Sequence, residues 1–69
     1  MNGKTFNKTA IERRVRDLKL DESFEVQTKA EQVAASTAGR IFKRAGTIRH
    51  RITTYLNDRG TYTVKAVEA

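Results

Sequence analysis

Cysteine, proline and tryptophan are all missing from this chain, and histidine occurs once. Without cysteine there is no disulfide framework and no thiolate zinc site, and His50 alone cannot hold a metal. That usage fits a reducing compartment. No apolar run approaches the roughly 20 residues that cross a bilayer, and the first residues lack the apolar core of a secretion signal. A cytoplasmic protein with no membrane contact is therefore expected. A glycine-rich phosphate loop is absent too: Gly39 is isolated, and Gly46 sits where a helix would stop. Ser23 and Ser36 have only His50 as a potential base, and nothing in the spacing brings them to it. The neighbouring Asp21 and Glu22 diverge in direction, as adjacent side chains do. No enzyme is expected, and no cofactor. Acidic residues are also scarce. Eight Asp and Glu face fourteen Lys and Arg, a net charge of +6, and the isoelectric point is near 10.2. Such a balance favours a polyanionic partner, usually nucleic acid.

Sixty-nine residues make one domain with a small core, which needs very regular packing or a partner. The strongest local pattern spans residues 28–46. Ala30, Val33, Ala34, Thr37, Ala38, Ile41 and Ala45 recur at helical period, with Phe42 at the edge of that face. Gln32, Ser36, Gly39, Arg40 and Lys43 fall opposite, and Arg44 lies on the flank. Thr28 with Glu31 matches a capping box. At the other end Arg40, Lys43 and Arg44 oppose the negative pole of the helix dipole, and Gly46 supplies a left-handed stop.

Before this helix, residues 1–9 are expected to form a loose basic tail, and residues 10–69 the single domain. Ile11, Val15 and Leu18 fit a short helix within residues 9–20, with Thr9 and Glu12 as its cap. Arg13, Arg14 and Arg16 project away from that stripe. Residues 20–23 suit a turn, and residues 23–27 a strand with Phe24 and Val26 on one side. Residues 47–56 fit two periods: Ile48, Ile52, Tyr55 and Leu56 would share a helix face, yet alternation works equally. Their Ile, Thr and Tyr content resists helix and suits a pleated surface. The segment Asn57-Asp58-Arg59-Gly60 then makes a hairpin turn, with Gly60 free to take positive φ. Residues 61–67 alternate Tyr62, Val64 and Ala66 against Thr61, Thr63, Lys65 and Val67. A strand needs its partner, so the strand reading of 47–56 is preferred. The expected fold is α+β. A small antiparallel sheet, made of the C-terminal hairpin plus one strand, packs against one central amphipathic helix, with a short N-terminal helix added. Its expected core is Phe24, Val26, Ala34, Ile41, Ala45, Ile48, Ile52, Leu56, Tyr62 and Val64. That core is thin, and a homodimer would support it.

The run Val15-Arg-Asp-Leu-Lys-Leu-Asp-Glu-Ser-Phe-Glu-Val26 resembles the opening of short phage-encoded basic proteins. In those a "dLkvGesF.V" phrase leads a strand, a basic helix follows and a hairpin ends the chain. Residues 51–55, the turn at 57–60 and residues 61–67 complete the resemblance here. Asp21 stands where the phrase has Gly, and Ala66 where an aromatic residue is usual. The resemblance implies a phage origin and this fold, and it brings no catalytic residue.

Function is expected from geometry. On a strand starting at residue 47, Arg49 and Arg51 would point the same way about 7 Å apart. Thr53 and Tyr55 continue that face, and Lys65 joins it from the partner strand. Such a face suits phosphates and a stacked base. Arg40, Lys43 and Arg44 at the helix end, and Arg13, Arg14 and Arg16 near the N-terminus, are further candidate phosphate contacts. The bland explanation for each group is a solvated face or a satisfied helix dipole. The expected function is non-enzymatic binding of nucleic acid, DNA in preference to RNA. The alternatives are a phage inhibitor or adaptor docking on a host protein, and a helix-turn-helix repressor should residues 47–56 be helical.

Overall fold

A computed structural model describes residues 7–69; of the tail expected at residues 1–9, residues 1–6 lie outside the described residues, while Asn7 caps and Lys8 and Thr9 open the first helix. Two helices and three strands follow in the order α1 (Lys8–Asp17), β1 (Ser23–Val26), α2 (Lys29–Ala45), β2 (Arg51–Leu56) and β3 (Tyr62–Val67). The strands form one antiparallel sheet in the order β1-β3-β2. This is the expected α+β architecture, and residues 51–56 are strand rather than recognition helix.

Local chemistry sets the element ends. The Thr28 hydroxyl accepts from the Glu31 amide at 3.2 Å, and the Glu31 carboxylate accepts from the Thr28 amide at 3.0 Å. Two of the orphan donors of the first turn are thereby satisfied. Gly46, at φ 80°, ends α2 by donating to the Lys43 carbonyl. α1 starts earlier than expected, because the Asn7 side chain rather than Thr9 caps it, accepting from the Ala10 amide. The turn before β1 places Asp21 at φ 72°. Glycine adopts that conformation freely and aspartate tolerates it.

Both helices lie on one face of the sheet. The register sets Phe24, Val64 and Thr54 side by side, and Ile52 opposite Ala66, so the even-numbered strand residues face the helices. Val15 and Val64 are fully buried, with Ile11, Leu18, Phe24, Val26, Ala35, Ala38 and Ala66 around them. Ala34, Phe42, Ile52 and Tyr62 pack on that cluster. α1 packs beside α2, toward β1, where the Arg14 guanidinium sits 4.2 Å from the Phe24 ring centroid.

Three expected core positions are corrected. Ile41 is 58% exposed and Leu56 63%, and Ala45 is exposed as well. The face of α2 that turns inward runs through Ala35, Ala38 and Gly39, so the helix is rotated from the expected stripe and leaves Val33 in solvent. Close approach explains the rotation. A Cβ built on Gly39 would lie 2.6 Å from the Ile52 Cβ, so only glycine lets α2 and β2 come this near.

The hairpin turn is held from the opposite edge of the sheet. The Glu25 carboxylate on β1 accepts hydrogen bonds from the Thr61 hydroxyl, from Arg59 Nε at 3.1 Å and from Asn57 Nδ2 at 3.3 Å. The Thr61 hydroxyl, and next the Arg59 guanidinium, hold its pKa below the usual carboxylate value. A depressed folded pKa gives stability that is complete above the unfolded value of about 4.3 and is lost as pH falls through the folded one. Glu25→Gln is therefore expected to lower the urea midpoint at neutral pH and to shrink the further loss seen on acidification. An unaltered acid dependence in the variant would show that Glu25 carries none of it.

Candidate functional site

On α2, Ser36, Gly39, Arg40, Lys43 and Arg44 lie three and four residues apart and so share one helical stripe. That stripe faces the start of β2. Between them is a cleft of about 420 Å³, with Ser36, Gly39 and Ile52 along its floor and Arg40, Lys43, Arg44 and Arg51 around it. No acidic residue lines it. A second cleft of about 240 Å³ shares Ser36 and Arg40 and continues toward Lys29 past Gln32, Val33, Thr37 and Thr54. The two make one groove between α2 and β2, and five cations border it. Gln32 Nε2 donates to Thr54 Oγ1 at 2.9 Å, tying helix to strand at the floor.

Among the described residues, four of the groove's five cations make no ion pair, and Lys29 lies 5.9 Å from the Tyr62 ring centroid. Among the described residues, the ion pairs are Arg16 with Asp17 and Arg59 with Glu25; Arg40, Lys43, Arg44 and Arg51 take part in neither. Two carbonyls of the last turn of α2 are served by backbone: Gly46 donates to Lys43, and Thr47 and Ile48 to Phe42. Lys43 and Arg44 thus keep a dipole role at long range and retain all their donors.

The other candidate residues divide. Arg49 is not on the strand. The chain wraps the helix end through Thr47 and buried Ile48, bends at Arg49 and His50, and enters β2 only at Arg51. Arg49 instead borders a shallow pocket with Leu20, His50, Glu68 and Ala69. The expected Arg49–Arg51 pair on one strand face therefore does not form. Tyr55 and Lys65 do share a face with Thr53 and Thr63, but it is the sheet face turned away from the helices. Arg51 has the same parity, yet its place at the free end of an edge strand lets its side chain line the groove.

The N-terminal cluster is dispersed. Arg14 stacks on Phe24, Arg16 Nε bonds Asp17 at 3.2 Å, and Arg13 borders clefts that also contain Glu12, Asp17 and Glu22. These arginines belong to a surface of mixed sign. Sequence reasoning missed Gly39 and Ile52 as the floor of the site, and Lys29, Gln32 and Thr54 as its continuation. One signal was available: a glycine inside a helix costs about 1 kcal/mol, so its presence demands a reason.

Among the described residues no helix is long and apolar enough to cross a membrane. No protein-family model matches the chain, and neither the curated proteins nor the solved structures contain a match.

Proposed function

We propose that this protein binds nucleic acid without catalysing a reaction, holding phosphates in the groove between α2 and β2. The observation that carries this reading is the convergence of Arg40, Lys43, Arg44 and Arg51, from two elements, on a cleft with no acidic residue in its lining. Cations held together repel one another unless an anion sits among them. Guanidinium groups give that anion forked hydrogen bonds as well as charge. The groove replaces the outer sheet face as the main contact, and Tyr55 and Lys65 become peripheral to it.

The phage resemblance of residues 15–67 fits a small basic protein working on nucleic acid in a host cytoplasm. A dimer loses its main motive, since Ile11, Val15 and Leu18 enlarge the core and groove binding needs one copy. A second reading, a host protein adding a strand to the edge of β2, draws on that strand having β3 on one side only. Salt separates the two. With four phosphate contacts, the logarithm of affinity is expected to fall with that of salt at a slope near −2.8 for a single strand, or −3.6 for duplex DNA. Fluorescence anisotropy of labelled oligonucleotides across a salt series reads it. Absence of binding even at low salt would overturn the nucleic-acid reading and leave the host protein.

A further inference from the structure

We infer that the groove takes a single strand of nucleic acid, its phosphates on the cationic rim and its bases turned to the open edge of β2. This rests on the nucleic-acid reading above and narrows it to a class of ligand.

The groove's cations surround a concavity of about 420 Å³ with Gly39 and Ile52 at the bottom. A duplex carries its phosphates on the outside of a stiff cylinder and meets protein best on a convex or flat face, such as a helix entering the major groove. It would touch only the lips of this groove. A single strand is flexible, and a charged channel that tracks its backbone is the usual way to hold it. The track is long enough for several nucleotides, because Lys29 and Arg44 stand fifteen residues apart on α2, about 22 Å at helical rise.

The outer edge of β2 pairs with no other strand among the described residues. The Asn57 amide donates to the Thr61 carbonyl, and hydrogen-bonded pairs alternate along an antiparallel ladder. Tyr55, Thr53 and Arg51 therefore bond to β3, while Ile52, Thr54 and Leu56 turn their N–H and C=O groups away from it. The other side of β3 agrees: Ala66 bonds to Asp21 and Glu22, toward β1. Among the described residues, the groove thus has one wall of backbone donors and acceptors without partners, repeating about every 7 Å. Unpaired bases expose a matching mixture of donors and acceptors, which in a duplex is spent on pairing. Ile52 and the 63% exposed Leu56 offer apolar surface to the faces of those bases.

An extended peptide would use the same edge. The charge favours nucleic acid. Five cations along one groove, with no acid among the lining residues, suit a polymer bearing one negative charge in every unit. A peptide matches that only where acidic residues crowd its sequence.

The test titrates the full chain with a labelled single strand of about 12 nucleotides, the duplex of the same sequence, and a polyglutamate peptide. Each is measured in about 50 and 200 mM salt. The single strand is expected to bind at least about tenfold tighter than the duplex. In ¹⁵N-labelled protein the amides of Ile52, Thr54 and Leu56 should shift on binding, more than those of Arg51, Thr53 and Tyr55. Ser36→Glu, which puts a carboxylate on the groove floor, should abolish single-strand binding. If it unfolds the chain, Thr37→Glu on the exposed helix surface, lining the same groove, takes its place. Duplex binding equal to or tighter than that of the single strand would overturn the inference and leave the nucleic-acid reading standing. Failure of both oligonucleotides to bind would overturn both. Displacement of the bound strand by polyglutamate at equal charge concentration would assign the edge to an acidic peptide and overturn the inference.

Discussion

Gly39→Ala is expected to lower the melting temperature by about 10 °C, although alanine is the better helix former by roughly 1 kcal/mol. The added methyl would stand 2.6 Å from Ile52 Cβ and 2.7 Å from Cγ1. A rotamer change at Ile52 moves Cγ1 but cannot move Cβ, and truncating Ile52 to alanine leaves that Cβ in place. The clash is relieved only by parting α2 from β2, which opens the contact around Ala35, Ala38 and Ile52. Overpacking of this kind costs about 1–3 kcal/mol, and more where the backbone has to shift. A net loss of about 2 kcal/mol remains after the propensity gain, and a domain of this size loses about 4–8 °C per kcal/mol. Gly46, at φ 80° with open space around it, is the contrasting case: alanine there suffers from conformation and meets no neighbour. A Gly39→Ala protein melting at or above the parent temperature would refute the close approach of helix and strand.

Gly39 also shows where the sequence was legible and where it was not. Patterns with a local cause came through. The Thr28–Glu31 box, the Gly46 stop and the turn at residues 57–60 each follow from groups within a few positions of one another. The strand at β2 followed from β-branched content and the need of β3 for a partner. The phase of α2 did not come through, because Ala, Thr, Ser and Gly surround the helix and leave little hydrophobic contrast. Under those conditions the sheet selects the face with the least bulk, through Gly39, over the face with Val33 and Ile41. That choice depends on a residue thirteen positions away, Ile52, and no periodicity encodes it. The rotation then carried Arg40 and Lys43, placed on the outer side of the helix by the sequence pattern, and Arg44, placed on its flank, over to the groove. Arg49 failed for a related reason. Four residues, 47–50, are spent turning round the end of α2, so the strand begins later than alternation alone suggests.

Removing the groove's charge is expected to have the largest effect on function. Replacing Arg40, Lys43, Arg44 and Arg51 together by Ala deletes four phosphate contacts at about 0.7 slope units each for a single strand, so the salt dependence of binding should nearly vanish. Near 0.1 M salt the same arithmetic predicts an affinity loss between about 100- and 1,000-fold. Folding should survive, because the four side chains are exposed, and their mutual repulsion offsets the roughly 0.3–1 kcal/mol that Lys43 and Arg44 each give the helix dipole. Replacing Arg13, Arg14 and Arg16 lowers the net charge by almost as much, but on a surface where Asp17 and Phe24 already engage two of them. That triple variant should lose affinity only through long-range attraction, by less than about tenfold. Arg49→Ala separates the groove from a strand-face site: a continuous Arg49–Arg51 face would lose a phosphate contact, whereas the bend at residue 49 predicts an unchanged slope. Anisotropy titrations of the four proteins over one salt series decide the matter. Equal losses from the groove and α1 variants would mean that net charge alone holds the nucleic acid, and an undiminished slope in the quadruple variant would remove the groove from the mechanism.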